Sequence, residues 1–326
     1  MKVHCERMPR SKLRGMRAKW KPYFFTSLHF EDSLQHVAGS FNRKLRAIAD
    51  LIRLPKQYGT LLLMAPALWS LMIAADGRPP ASLLAVFIAG AFLMRSAGCV
   101  LNDLADRRFD RRVARTKDRP LASGRLTPRE ALAVGAVLSG LALALALTLN
   151  PFALGLSVAG FALAAVYPLM KRVISMPQAV MGAAFGWGAL LAWAAVRNDL
   201  GAPAIIIFLT TVCWAAGYDT IYALLDRDDD LAIGVRSSAI LFGRYVWAGV
   251  GALLGLTLVG LVALGLLTSL GAVYAATIIA VAAIFGHQTW LLRRGLDRAA
   301  TFGLFRAHAT IGLLILAGIT ADLVIA

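Results

Sequence analysis

Two short stretches of this chain hold more carboxylates than their surroundings explain. LNDLADRRFDRR supplies Asn102, Asp103, Asp106 and Asp110, and GYDTIYALLDRDDD supplies Asp219, Asp226, Asp228, Asp229 and Asp230. If each stretch continues as a helix, spacings of 3, 4 and 7 stack side chains on one face. Asp103, Asp106 and Asp110 then form one stripe, and Asp219, Tyr222, Asp226 and Asp230 form the other. Crowded carboxylates repel one another, and a hard divalent cation removes that repulsion. Mg²⁺ takes oxygen ligands, keeps several waters, and is typically held by one or two carboxylates plus substrate phosphates. Two facing acidic helices could thus hold one or two Mg²⁺ and, through them, a diphosphate. The plainer alternative is a pair of solvated helix ends whose acids pair with nearby arginines.

Cations supply the complementary half. The segment 111–129 reads RRVARTKDRPLASGRLTPR, and a second short segment carries Lys171-Arg172. Arg clamps phosphate bidentately and Lys acts as a point charge. Lys117, Arg119, Lys171 and Arg172 are the candidates for that role. Arg95 lies inside an apolar run, seven residues before Asn102 and on roughly the same helical face. A charge so placed should point into a bundle or a wet cavity, so Arg95 is a candidate substrate contact.

The elements that position these groups are membrane spans. Of 326 residues, 59% are hydrophobic and only 16% charged, against roughly a quarter in soluble domains. That composition excludes a disordered or collagen-like chain. Three scattered cysteines (Cys5, Cys99 and Cys213) exclude a disulfide framework and give no metal-ligand spacing. Apolar runs at 59–75, 83–101, 131–149, 151–168, 177–196, 203–222, 245–267, 272–290 and 308–325 are each near the ~20 residues a spanning helix needs. The expected fold is an all-α polytopic membrane protein of nine transmembrane helices. Asp103, Asp106 and Asp110 share their spacing with Asp219, Tyr222 and Asp226, 116 residues later. This suggests a four-helix pseudo-repeat in which spans one to four echo spans five to eight.

The expected division is a basic tail over 1–45 and a membrane domain over 46–326. The tail holds ten Lys and Arg against three acids and has no signal-peptide core. It reads as a cytoplasmic segment drawn to anionic lipid, or alternatively as a mitochondrial transit peptide. No nucleic-acid reading motif is present, so no nucleic-acid partner is expected. With the tail inside, 31 of the 34 Lys and Arg fall in inside segments, the asymmetry that sets membrane orientation.

These residues resemble a known family. NDLADRRFD matches the N-D-x-x-D-x-x-x-D signature of the UbiA superfamily of intramembrane prenyltransferases, and YDTIYALLDRDDD resembles its second Asp-rich motif. RSAGCVLND, KDRPLASGRLT, YPLMKRV, MPQAVMGAAFGW and IGVRSSAILFG look like its 4-hydroxybenzoate polyprenyltransferase branch. The family's first span usually opens R-x-D-K-P-x-G. Here Arg53, Lys56 and Gly59 remain, while Pro55 and Gln57 depart from that pattern.

The resemblance implies a helical bundle around a central cavity, with Asp-rich motifs binding Mg²⁺ and the diphosphate of a long isoprenoid. Carried over by position, Asp106, Asp110, Asp226 and Asp230 rank first as metal ligands, followed by Asn102, Asp103 and Asp219. Arg172 matches a basic position near the diphosphate or the acceptor. Arg53, Arg95 and Arg172 compete for the acceptor carboxylate, and Tyr222 is a further substrate contact. The implied reaction joins a polyprenyl group to the carbon ortho to the hydroxyl of 4-hydroxybenzoate, in ubiquinone biosynthesis. The alternatives are homogentisate or dihydroxynaphthoate as acceptor and, from a different class, a secondary transporter. The expected location is the bacterial inner membrane, or alternatively the mitochondrial one.

Overall fold

Apolar side chains both fill the interior of this protein and cover its outside. Large apolar side chains cover the outer surface, with Leu266 80% and Ile279 71% exposed, while Asp103, Gln178, Gln288 and His308 are buried. An outer surface of this kind suits a lipid solvent. The structure, a computed structural model, describes residues 42–170 and 173–325. The basic stretch 1–41 and the candidates Lys171 and Arg172 lie outside the described residues.

The long helices are α1 (Tyr58–Ala74), α2 (Ala81–Asp110), α3 (Pro128–Ala146), α4 (Pro151–Met170), α5 (Pro177–Arg197) and α6 (Ala202–Ala223). Two short helices follow, α7 (Arg227–Ile233) and α8 (Ser238–Phe242). The series ends with α9 (Val246–Thr268), α10 (Ala272–Arg294) and α11 (Arg298–Ile325). Eight helical segments among the described residues are long and apolar enough to cross a membrane, and α1, at 17 residues, is apolar but shorter. The chain is thus an integral multi-pass membrane protein.

Local chemistry marks the helix ends. Thr127 caps α3 in a reciprocal capping box with Glu130, and Pro128 takes the first helical position. Asn150 Oδ1 accepts from Ala153 N at 2.9 Å to start α4. Asp297 Oδ1 accepts from Ala300 N at 2.7 Å to start α11. Asp322 on α11 accepts from the backbone amides of Gly271, Val273 and Tyr274 at the start of α10. Negative charge there meets the positive end of the helix dipole.

Within Ile48–Ala326, α5 packs on α6, α1 on α5, α6 on α9, and α11 on both α10 and α1. Gly182 lets α5 approach the Val212 backbone of α6 at a distance that a Cβ would block. The centre is aromatic. Trp69 and Trp214 lie 5.3 Å apart, Trp69 Nε1 donates to Gly312 O, and Trp214 Nε1 donates to His308 Nδ1 at 2.9 Å. This core holds α1, α6 and α11 around the site.

One expectation needs correction. The first acidic stretch is a continuous helix: α2 runs 30 residues, ~45 Å, longer than the ~30 Å hydrocarbon core, so its acidic end projects beyond it. The second stretch breaks. Helix α6 ends at Ala223 and α7 begins at Arg227. The turn buries Leu225, and Arg298 Nη2 donates to its carbonyl at 2.7 Å. Burying that leucine and satisfying its carbonyl outweighs continuing the ladder.

Candidate active site

The C-terminal end of α2, the segment 111–127 and the α6–α7 turn border one cavity of about 870 Å³. Its polar wall includes Asn102, Asp103, Asp219, Tyr222, Asp226 and Asp230. Its apolar wall includes Leu62, Met181, Phe185, Phe302 and Phe305. Groups from both Asp-rich stretches thus face the same space.

In the first stretch, Asp103 is 1% exposed and held by two arginines. Arg53 Nη2 donates to both of its oxygens, at 2.7 and 3.0 Å, and Arg119 Nη1 donates to Oδ1 at 3.1 Å. Arg119 Nη1 also donates to Asp110 at 3.0 and 3.2 Å, tying the two acids together. Arg53 reaches in from a turn. Its own backbone is left-handed (φ 59), and Leu54 N donates to Ala49 O as the preceding helix closes. A non-glycine residue held there is strained, a condition that clusters at functional sites.

In the second stretch, Arg115 forms a fork on Asp226. Its Nε donates to Oδ1 at 2.7 Å, its Nη2 donates to Oδ2, and its Nη1 reaches the Tyr222 hydroxyl. Its guanidinium also lies 4.8 Å from the centre of the Tyr222 ring. Burial works against charge on Arg115, but the Asp226 hydrogen bond and the fields of Tyr222, Asp226 and Asp110 outweigh it, raising its pKa above the ordinary arginine value. Arg115 is therefore a permanent cation at this wall.

The candidates distribute unevenly. Asn102, Asp103, Asp219, Tyr222, Asp226, Asp230, Arg53, Arg95 and Arg119 border the cavity. Asp106 and Asp110 are buried on the same helix but do not line its wall. Lys117 is exposed and lies away from it. Arg115, Arg125, Arg236 and Arg298 border the cavity without having been singled out. No sequence signal separates Arg115 from the other arginines of its segment; only the fold brings it to Asp226.

The aspartates do not form a closed carboxylate cage. Among the described residues, no group of three or more His, Cys, Asp or Glu side chains is arranged to hold a metal ion. Guanidinium groups stand between the acids, on Asp103 and Asp226. The donors still suit a hard cation completed by phosphate oxygens. Asn102 Oδ1 is buried, borders the cavity and has no hydrogen-bond partner, and an amide oxygen in that state is a ready ligand.

Comparison with known proteins agrees with this geometry. A 4-hydroxybenzoate octaprenyltransferase of Aeromonas hydrophila is 50% identical over 276 residues, covering 85% of this chain and 96% of that protein. One from Pectobacterium atrosepticum is 48% identical over 276 residues, with the same coverage. Among solved structures, the apo form of a UbiA homolog from Aeropyrum pernix K1 matches with a TM-score of 0.71 at 26% identity, covering 81% of this chain and 97% of that one. A UbiA homolog from Archaeoglobus fulgidus bound to GPP and Mg²⁺ matches with a TM-score of 0.65 at 17% identity, covering 85% and 99%, and shares the fold. Residues 63–309 match the UbiA prenyltransferase family. With two Asp-rich stretches opening on one part-apolar cavity in a helical membrane bundle, the chain belongs to that family.

Proposed function

We propose that this protein transfers a polyprenyl group from polyprenyl diphosphate to the ring carbon ortho to the hydroxyl of 4-hydroxybenzoate, as a step of ubiquinone biosynthesis. The observation that carries the reading is the single cavity with charged and apolar walls. The names of relatives 50% and 48% identical to it support the choice of acceptor.

The charged wall suits the diphosphate. Asn102, Asp103, Asp106 and Asp110 from the first stretch, with Asp219, Asp226 and Asp230 from the second, are the proposed ligands for Mg²⁺ and, through it, the diphosphate. When bound, Mg²⁺ would neutralise charge developing on the departing diphosphate. Arg115 and Arg119 keep fixed positive charge beside the same oxygens, stabilising the leaving group in the transition state. Lys171 and Arg172 are proposed to add to that clamp.

The apolar wall suits the isoprenoid. Tyr58 meets Phe302 and Phe305 edge-on, at 5.9 and 5.6 Å, and the two phenylalanine rings stack on each other. Such a wall excludes water from the allylic cation left by C–O cleavage. The electron-rich acceptor ring attacks that cation, and the ring proton passes to the released diphosphate, restoring aromaticity. The proposed setting is a bacterial inner membrane, with α1 as a ninth span, the basic stretch 1–45 on anionic lipid at the cytoplasmic face, and 46–326 as the catalytic domain. The four-helix pseudo-repeat is part of the same proposal.

The test is turnover in lipid nanodiscs with octaprenyl diphosphate, with and without Mg²⁺. The expected product is 3-octaprenyl-4-hydroxybenzoate, formed only with Mg²⁺. Prenylation of homogentisate or dihydroxynaphthoate in its place overturns the acceptor. Proteoliposome uptake without covalent product overturns the transferase reading.

A further inference from the structure

From Leu231 to Leu296 the chain carries four arginines and no Asp or Glu. One of them, Arg236, borders the cavity and donates to Val173 O. The other three, Arg244, Arg293 and Arg294, gather where α9 starts and α10 ends. Only Ser269–Gly271 joins these two helices, which pack on each other, so the start of one and the end of the other share one end of the pair. At the cavity, arginines are held by carboxylates: Arg53 and Arg119 by Asp103, Arg115 by Asp226, Arg125 by Asp50. These three rest on aromatic rings instead. Arg293 lies 5.0 Å from the centre of the Trp247 ring and Arg294 lies 4.1 Å from that of Trp290. Arg244 lies 4.7 Å from the Tyr245 ring, and its Nη2 donates to the Tyr245 hydroxyl at 2.8 Å. All three arginines are exposed, and among the described residues none is in an ion pair. The nearest acid in sequence, Asp297, uses Oδ1 to cap α11. A guanidinium lying over a ring keeps in-plane N–H donors for a phosphate.

The rings place this corner at the boundary between membrane and water, where Trp and Tyr concentrate. Trp290 is 46% and Tyr245 56% exposed. His287 stacks on Trp290 at 5.7 Å and carries the polar strip one turn further in. Deeper still the outside of both helices is apolar, with Leu256 of α9 and Ile279 of α10 more than half exposed. Unpaired positive charge at the boundary above an apolar wall is complementary to one kind of molecule, an anionic head on acyl chains. A free anion would match the guanidiniums alone.

We propose that the corner formed by Arg244, Arg293 and Arg294 binds one anionic phospholipid, its phosphate on the guanidiniums and its acyl chains along α9 and α10. None of these residues borders the cavity, so the site is separate from the transfer chemistry.

The test is native mass spectrometry of the full chain in detergent, titrated with dioleoylphosphatidylglycerol, with zwitterionic dioleoylphosphatidylcholine, or with inorganic phosphate. The wild type should retain one phosphatidylglycerol in preference to phosphatidylcholine, and inorganic phosphate should not displace it. Arg293→Gln/Arg294→Gln should weaken phosphatidylglycerol ~30-fold and erase the preference. Trp290→Leu should weaken it ~3-fold. Arg293→Lys/Arg294→Lys should keep part of the preference, and so carries the same test if the glutamine variant folds poorly. Arg112→Gln/Arg129→Gln, which removes the same charge from two exposed positions elsewhere, should leave binding within ~2-fold. Equal retention of the two lipids, displacement by inorganic phosphate, or an equal loss in the Arg112/Arg129 variant overturns the proposal. A dimer that Arg293→Gln/Arg294→Gln dissociates, with no lipid retained, overturns it in favour of a second copy of the chain.

Discussion

The two Asp-rich stretches share a spacing but are built differently. The first lies on one uninterrupted helix, and its Asp103 is 1% exposed between Arg53 and Arg119. The second straddles a helix break, and Asp226 is 14% exposed against Arg115. The first is therefore part of the framework as well as the candidate site, whereas the second sits on a turn, with its carboxylate more open to solvent. One sequence pattern is thus carried on two different backbones, a continuous helix and a helix break.

That difference can be broken experimentally. The largest effect is expected for Asp103→Ala. It leaves Arg53 without its carboxylate and takes from Arg119 one of its two, at a cost of ~3 kcal/mol, and should lower the unfolding midpoint in detergent while abolishing turnover. Asp226→Ala should remove turnover by ~100-fold or more with an almost unchanged midpoint. Equal destabilisation by the two substitutions would erase the distinction. Asp106→Ala, one turn beyond Asn102, should behave like Asp226→Ala in activity.

The next effect sharpens the comparison within one segment. Arg115→Ala should slow turnover ~10-fold or more by removing the fork on Asp226. Lys117→Ala, two residues away and exposed, should stay within ~2-fold. If Lys117→Ala proves the more damaging, phosphate is gripped from outside the cavity wall.

Much of this was legible from residue types. The apolar runs at 177–196 and 245–267 match Pro177–Arg197 and Val246–Thr268 almost to the residue, because an apolar stretch in lipid must satisfy its backbone as helix. The run at 308–325 understates α11, which begins at Arg298. Asp297 caps it there, and its first turns are amphipathic, so hydropathy alone passes over them. The α6–α7 break was not legible, because nothing in YALLDRDDD is a helix breaker. Its cause lies 73 residues away in Arg298. The pairing of Arg115 with Asp226, 111 residues apart, is likewise a product of packing.

The central claim is that both stretches act on one cation and one diphosphate. The most direct measurement is phosphorus-31 ENDOR on Mn²⁺ bound to the protein in nanodiscs with a non-reacting polyprenyl thiodiphosphate. Phosphorus coupling should be present in the wild type and lost in both Asn102→Ala and Asp226→Ala. Coupling that survives either substitution unchanged would contradict a shared site.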